Sequence, residues 1–240
     1  MISEIAFVRD YTSFWRTISP LSEDFVRFIN VIVLDRYQEE LESSIASSRR
    51  ALINEVGFEI FCISQDTGES PYNVTETEIQ NIADKTSSYI SKLRAKAPSF
   101  GVPLSQGEIG EAKEISSRLI DFFSQFQVVH TKPKFPGCGH LDSCVGDVVA
   151  DDTIYEIKSG GRLFRSIDLR QLVVYLTLNK LSKSYNINCL GLFNPRKGFH
   201  YKADQDDFSV QFSGLTSEEL CHKVEFELTS CDLMRFEESI

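Results

Sequence analysis

Nowhere does the chain contain a run of about 18 uncharged apolar residues, the length a membrane-spanning helix needs, so a membrane protein is not expected. The longest early apolar run, FINVIVL at residues 28–34, is too short and too late for a secretory signal, and the expectation is a cytoplasmic protein. Neither GxxxxGKS nor GxGxxG occurs, which argues against a P-loop NTPase and a dinucleotide enzyme. Internal repeats and low-complexity tracts are also missing. Cysteine is present at positions 62, 138, 144, 189, 221 and 231 but without framework spacing, so these residues read as free thiols in a reducing compartment. Positive charge is scarce. With 25 Lys and Arg against 35 Asp and Glu, the net charge of −10 excludes a protein that coats nucleic acid indiscriminately.

What is present describes a globular chain. Its 240 residues are 42% hydrophobic and 25% charged, enough for one large domain or a domain with a substantial appendage. Charge is unevenly spread: residues 126–202 hold 11 Lys and Arg against 6 Asp and Glu, a local +5 that leaves −15 elsewhere. A basic segment in an acidic chain suggests a confined anion-binding surface, the alternative being chance clustering on solvated faces.

Residues 1–100 read as mainly helical. A periodic stretch from about Glu23 to Glu55 carries Phe25, Phe28, Ile29, Ile32 and Val33 on one stripe. EVGFEIFCI continues it as helix or begins a short strand. QDTGESPYN reads as a loop, and Thr75 with Glu78 forms a capping box that opens another helix. The Pro- and Gly-bearing residues 97–103 mark the expected boundary, with a core at 101–213 and an extension at 214–240. Ser105 and Glu108 form a second capping box, before a stripe of Ile109, Ala112, Ile115, Leu119 and Phe122. FQVVH, GDVVA, TIYEIK and NCLGLF read as strands, with a helix over SIDLRQLVVYLTLNKL between the last two. The expected class is α/β: a mixed sheet in which a helix crosses over between two parallel strands. An acidic segment from about Thr216 closes the chain.

Asp151 and Asp152 are turn formers, so GDVVA and TIYEIK pair most simply as a tight hairpin. Val148 then faces Tyr155, and Asp147 faces Glu156. Opposed Cβ atoms lie about 4.5–5.5 Å apart, and the period of two puts Lys158 on the same face as Glu156. Val148, Tyr155 and Ile157 point the other way. Two carboxylates that close repel unless a cation lies between them. Mg²⁺ or Mn²⁺ suits the pair, because such ions take oxygen ligands and bind through one or two carboxylates plus substrate phosphate. Lys158 is then placed to orient a water attacking phosphorus, or to help deprotonate it. A solvent-facing hairpin with an incidental Glu–Lys pair is the competing reading.

Asp147, then a turn, then Glu156-x-Lys158, followed by a helix with Gln171 and Tyr175, resembles the PD-(D/E)XK nuclease superfamily. The Gln-x-x-x-Tyr helix is similar to its RecB-like branch. The resemblance covers roughly residues 105–200, with Gly146 rather than Pro before Asp147. It implies a restriction-endonuclease-like core and a Mg²⁺-dependent endonuclease acting on DNA more readily than RNA, in restriction, repair or antiviral defence. It further implies Asp147, Glu156 and the Ile157 carbonyl as metal ligands, and Gln171 and Tyr175 near the metal and the nucleic-acid backbone. One more acid is expected from the first core helix. Glu111 is the candidate, since Gly107 and Gly110 permit close approach there and Glu108 is used in its capping box. A non-catalytic module with the nuclease fold is the alternative. Residues 1–100 are the candidate interface for a second copy or for a partner subunit such as an ATPase.

Arg162, Arg165 and Arg170 could reach phosphates through planar guanidinium forks. Arg196 and Lys197, in the turn NPRKG, are either phosphate contacts or solvated loop charges. Cys138, His140 and Cys144 fall within FPGCGHLDSC, but structural zinc needs four ligands and only the distant Cys189 offers itself. The stretch reads better as a glycine-rich loop at the mouth of the site, where His140 could touch substrate. Trp15, beside Phe14 and Tyr11, reads as core or partner interface.

Overall fold

The computed structural model describes residues 1–93 and 101–230. Most of the boundary expected at 97–103, and Cys231, lie outside them. Three short helices open the chain: α1 (Glu4–Asp10), α2 (Thr12–Ile18) and α3 (Ser22–Phe28). The single long helix expected from Glu23 to Glu55 does not form. Its β-branched run widens into a π-turn over Ile29–Val33, and the chain leaves as strand β1 (Asp35–Arg36). Phe25 and Ile29 are buried as expected, whereas Phe28 and Ile32 face solvent. EVGFEIFCI belongs to a separate helix, α4 (Ser47–Thr67), closed by Gly68 in the left-handed conformation.

Both capping boxes are present. Thr75 and Glu78 exchange hydrogen bonds at the start of α5 (Glu76–Leu93), as do Ser105 and Glu108 at the start of α6 (Gln106–Phe123). All five residues of the predicted α6 stripe are buried. Strands β2 (Val129–Thr131), β3 (Lys134–Phe135), β4 (Cys144–Val145), β5 (Val148–Ala150) and β6 (Thr153–Ile157) follow, then helix α7 (Ser166–Ser182) and strand β7 (Cys189–Asn194). Strand β8 (Phe199–Asp204) returns through the NPRKG turn, and helices α8 (Gln205–Ser213) and α9 (Ser217–Thr229) finish the described chain.

The chain is an α/β protein built on a mixed six-stranded sheet, in the order β1-β8-β7-β6-β5-β2, with a helical N-terminal region. Strands β6 and β7 are parallel, joined by α7, and the other pairs are antiparallel. Strands β3 and β4 form a separate two-stranded ribbon. No described helix is long and apolar enough to cross a membrane.

Each face of the sheet is covered by helices. Phe7, Trp15 and Phe25 of the first three helices share one core with Val149, Ile154, Leu172 and the aromatic residues of α8. On the other face, α4, α5 and α6 pack over Val148, Ala150, Tyr155 and Phe193. Residues before position 94 therefore contribute to both cores of the sheet. Tyr155 lies flat over its neighbour in register, Gly191; a Cβ there would fall 2.3 Å from the ring.

Candidate active site

The hairpin sets the geometry. Val148, Val149 and Ala150 pair with Tyr155, Ile154 and Thr153, and Asp151 turns the chain in the left-handed region that Asp tolerates (φ 48°). Asp147 precedes β5 by one residue, opposite Glu156 at the end of β6. Its Oδ2 accepts a hydrogen bond from the Ile157 N–H at 2.7 Å, and its carbonyl accepts from the Lys132 N–H at 2.8 Å.

Glu156 is buried, 4% exposed, on the sheet face that carries α7. Its Oε1 accepts from Lys158 Nζ at 2.5 Å, while its Oε2 is buried with no hydrogen-bond partner. Lys158 Nζ also donates to Gln171 Oε1 at 2.7 Å and lies 3.7 Å from Asp168 Oδ1. Tyr175, one turn beyond Gln171, is buried and stacks on Phe135. Strand and helix thus bring Asp147, Glu156, Lys158, Gln171 and Tyr175 together.

Electrostatics in the cluster are adverse to the acids. Burial, and then the neighbouring Glu156 charge, push the Asp147 carboxyl well above the usual range. Burial likewise raises Glu156, although Lys158 opposes it. For Lys158 burial disfavours the cation, but Glu156, Asp168 and Asp147 outweigh it and hold the ammonium protonated above its ordinary range. The ammonium is thus held in place by three surrounding carboxylates, a position from which it can orient a water.

Three acids near this cluster were missed in the sequence. Asp168 is buried and grips Arg162 with both oxygens, at 2.6 and 2.8 Å, beside Lys158. Its signal was legible, because positions 168, 171 and 175 share one helix face. Glu4 of α1 accepts from Gln171 Nε2 at 2.7 Å and from Tyr175 Oη at 3.2 Å. Glu55 of α4 faces the cluster from the opposite helical layer and adds to the negative charge around Asp147. No local motif marks Glu4 or Glu55, since tertiary packing alone brings them in.

Several predicted contacts are committed elsewhere. Glu111 points not to the carboxylate pair but to Arg196 Nη1 at 2.6 Å and Ser43 at 3.0 Å. Arg196, 2% exposed, also donates to Asn54 and the Ser159 carbonyl, so it ties helices to a loop and presents nothing to a phosphate. Arg170 donates to the Val8 carbonyl and lies over the Trp15 ring, with its Nε buried and unpartnered. Lys197 pairs with Glu40 at 2.6 Å. Lys132 pairs with Glu59, so three cations of residues 126–202 are paired with acids from outside it. Arg162 is spent on Asp168, whereas the Arg165 side chain is exposed.

Cys138, His140 and Cys144 do not form a metal centre: among the described residues, no group of three or more His, Cys, Asp or Glu could hold an ion. The backbone of His140 instead joins Ile2 to Leu228. No model of a known protein family matches the chain, and no curated protein matches it.

Proposed function

We propose that this chain is a metal-dependent endonuclease of the PD-(D/E)XK type, with a restriction-endonuclease-like core, hydrolysing phosphodiester bonds in DNA. The observation that carries the reading is the Asp147–Glu156 pair: two crowded carboxylates, one with a buried oxygen lacking any hydrogen bond. Natural proteins rarely leave such an atom unsatisfied without a functional reason. The donor set fits Mg²⁺ or Mn²⁺, with Asp147, Glu156 and the Ile157 carbonyl as ligands and the remaining positions left to water and substrate phosphate. A bound ion would supply Lewis-acid polarisation and a more acidic water. Lys158 would orient the attacking water and attract the phosphate as a fixed cation. Gln171 would hold the ammonium, and the exposed Arg165 would meet the backbone of the nucleic acid.

The test is incubation of purified protein with plasmid, linear duplex and single-stranded DNA plus Mn²⁺, beside Asp147→Ala and Lys158→Ala. Cleavage that disappears in both variants, with folding intact, supports the reading. Undiminished cutting by either variant overturns it.

The pairing of Lys132, Arg196 and Lys197 with acids outside the basic segment favours a second reading, a nuclease-fold subunit that holds DNA only within a partner complex. In that case the isolated chain gains thermal stability with Mn²⁺ but cuts nothing, and cleavage appears on adding co-purifying partners.

A further inference from the structure

Resting on the nuclease reading, we propose that Glu4 is a positioning residue of the site, locking the Gln171 amide so that its oxygen faces the Lys158 ammonium. A glutamine amide has a donor end and an acceptor end, and its neighbours decide which way it points. Here both ends agree. Nε2 donates to the Glu4 carboxylate at 2.7 Å while Oε1 accepts from Lys158 at 2.7 Å. The flipped amide would set an NH₂ group against the ammonium and an oxygen against the carboxylate, unfavourable at both ends. Tyr175 Oη donates to the same Glu4 oxygen, so the carboxylate gathers both members of the Gln-x-x-x-Tyr pair.

Glu4 is held from both sides. Two residues earlier, Ile2 bridges to Leu141, with hydrogen bonds of 2.8 Å to the His140 carbonyl and 2.9 Å from the Asp142 N–H. Three and four residues later, Phe7 and Val8 are buried in the core. A carboxylate fixed this way belongs to the framework of the site rather than to a lid over it. Part of the N-terminal region thereby acquires a role that partner binding does not supply.

The test compares Glu4→Met, which keeps side-chain length but has no oxygen acceptor, with Glu4→Gln, which keeps an acceptor oxygen. Loss of such an outer support typically costs 10–100-fold, so kcat for Mn²⁺-dependent DNA cleavage should fall roughly that far in Glu4→Met with KM within about twofold. Glu4→Gln should retain most of the wild-type kcat. The ¹⁵N resonance of the Lys158 ammonium gives a second readout that needs no activity: it should shift or broaden in Glu4→Met and stay in place in Glu4→Gln. Should Glu4→Met fail to fold, Glu4→Ala takes its place. Wild-type kcat together with an unmoved resonance in the acceptor-free variant overturns the proposal. Expected resonance changes in a chain that cuts no DNA would sustain the Glu4 linkage while removing the nuclease reading.

Discussion

The Asp147 carboxylate accepts the backbone N–H of Ile157 at 2.7 Å, which ties the lead into one strand of the hairpin to the end of the other and holds Asp147 beside Glu156. One oxygen of Asp147 thus builds the fold, while the charge of the whole group works against it.

Asp147→Asn separates these two effects. The amide keeps an oxygen for the Ile157 N–H but removes a charge that burial and Glu156 disfavour. Because the folded-state pKa of Asp147 is raised, the folded protein retains a proton that the unfolded chain has released. The associated stability is full below the unfolded carboxylate value of about 4 and is lost as pH rises through the raised folded value. Asp147→Asn should therefore be at least as stable as wild type at pH 7, with an advantage that shrinks toward pH 4. Urea melts across that range read the difference. The variant should also lose the rise in melting temperature that Mg²⁺ or Mn²⁺ gives the wild type. A variant that responds to the ion as the wild type does would remove Asp147 from the ligand set.

Lys158 presents the opposite case. Its ammonium neutralises Glu156, whose side chain is 5% exposed, so Lys158→Met leaves a buried carboxylate without its cation. Breaking such a pair costs about 3–5 kcal/mol, because the remaining charge stays desolvated. The cost should shrink at pH 5, where Glu156, already raised by burial, takes up a proton more readily. Adding Glu156→Gln to Lys158→Met should recover much of the stability at pH 7. A loss equal at both pH values, or no recovery in the double variant, would show that Lys158 contributes through packing instead.

The hairpin, the crossover helix and both capping boxes were legible because each rests on local chemistry: turn-forming Asp151 and Asp152, alternation along TIYEIK, and reciprocal Ser or Thr and Glu bonds. Strand β8 carries a local signal too, since Phe199 and Tyr201 alternate with His200 and Lys202, the same period that reveals β6. The helix expected across residues 23–55 failed because hydrophobic spacing alone does not register a β-branched run crowding the helix backbone. At the site, Asp147, Glu156 and Lys158 could be read because strand register is short-range. The fates of Glu111, Arg170 and Arg196 could not, since Ser43, Val8 and Asn54 reach them across the fold. The charge count of residues 126–202 is incomplete for the same reason: Lys132, Arg196 and Lys197 find their acids outside the segment, at Glu59, Glu111 and Glu40.

Gly191 is the place where one strand makes room for another. A methyl group there would meet the Tyr155 ring at 2.3 Å, and Tyr155 is wedged against Phe122, Phe123 and Phe126. Gly191→Ala should cost about 1–3 kcal/mol through forced displacement of the ring. Gly107, with open space around it, should tolerate the same change within about 0.5 kcal/mol or gain from it, being inside a helix. Equal effects at the two positions in chemical denaturation would contradict the packing account.

Arg165 and Arg196 make opposite predictions although both lie in the basic segment. Arg165 has an exposed side chain where the loop after β6 enters α7, while its backbone is engaged, the N–H donating to the Asp168 carboxylate and the carbonyl accepting from the Asp168 N–H, both at 2.9 Å. If DNA passes this mouth, Arg165→Ala should weaken binding across sequences and lower the slope of log K against log salt by about 1, the signature of one lost phosphate contact. Arg196 is enclosed by Glu111, Asn54 and the Ser159 carbonyl, so Arg196→Ala should leave that slope unchanged in the protein that remains folded. Its penalty should fall on stability, about 3–5 kcal/mol for a buried carboxylate stripped of its partner. Salt titrations of DNA binding, carried out with Ca²⁺ in place of Mg²⁺ to limit cutting, separate the two. A reduced slope for Arg196→Ala would mean that the loop opens on binding and releases the guanidinium toward the phosphates, and an unchanged slope for Arg165→Ala would move the DNA path away from the start of α7.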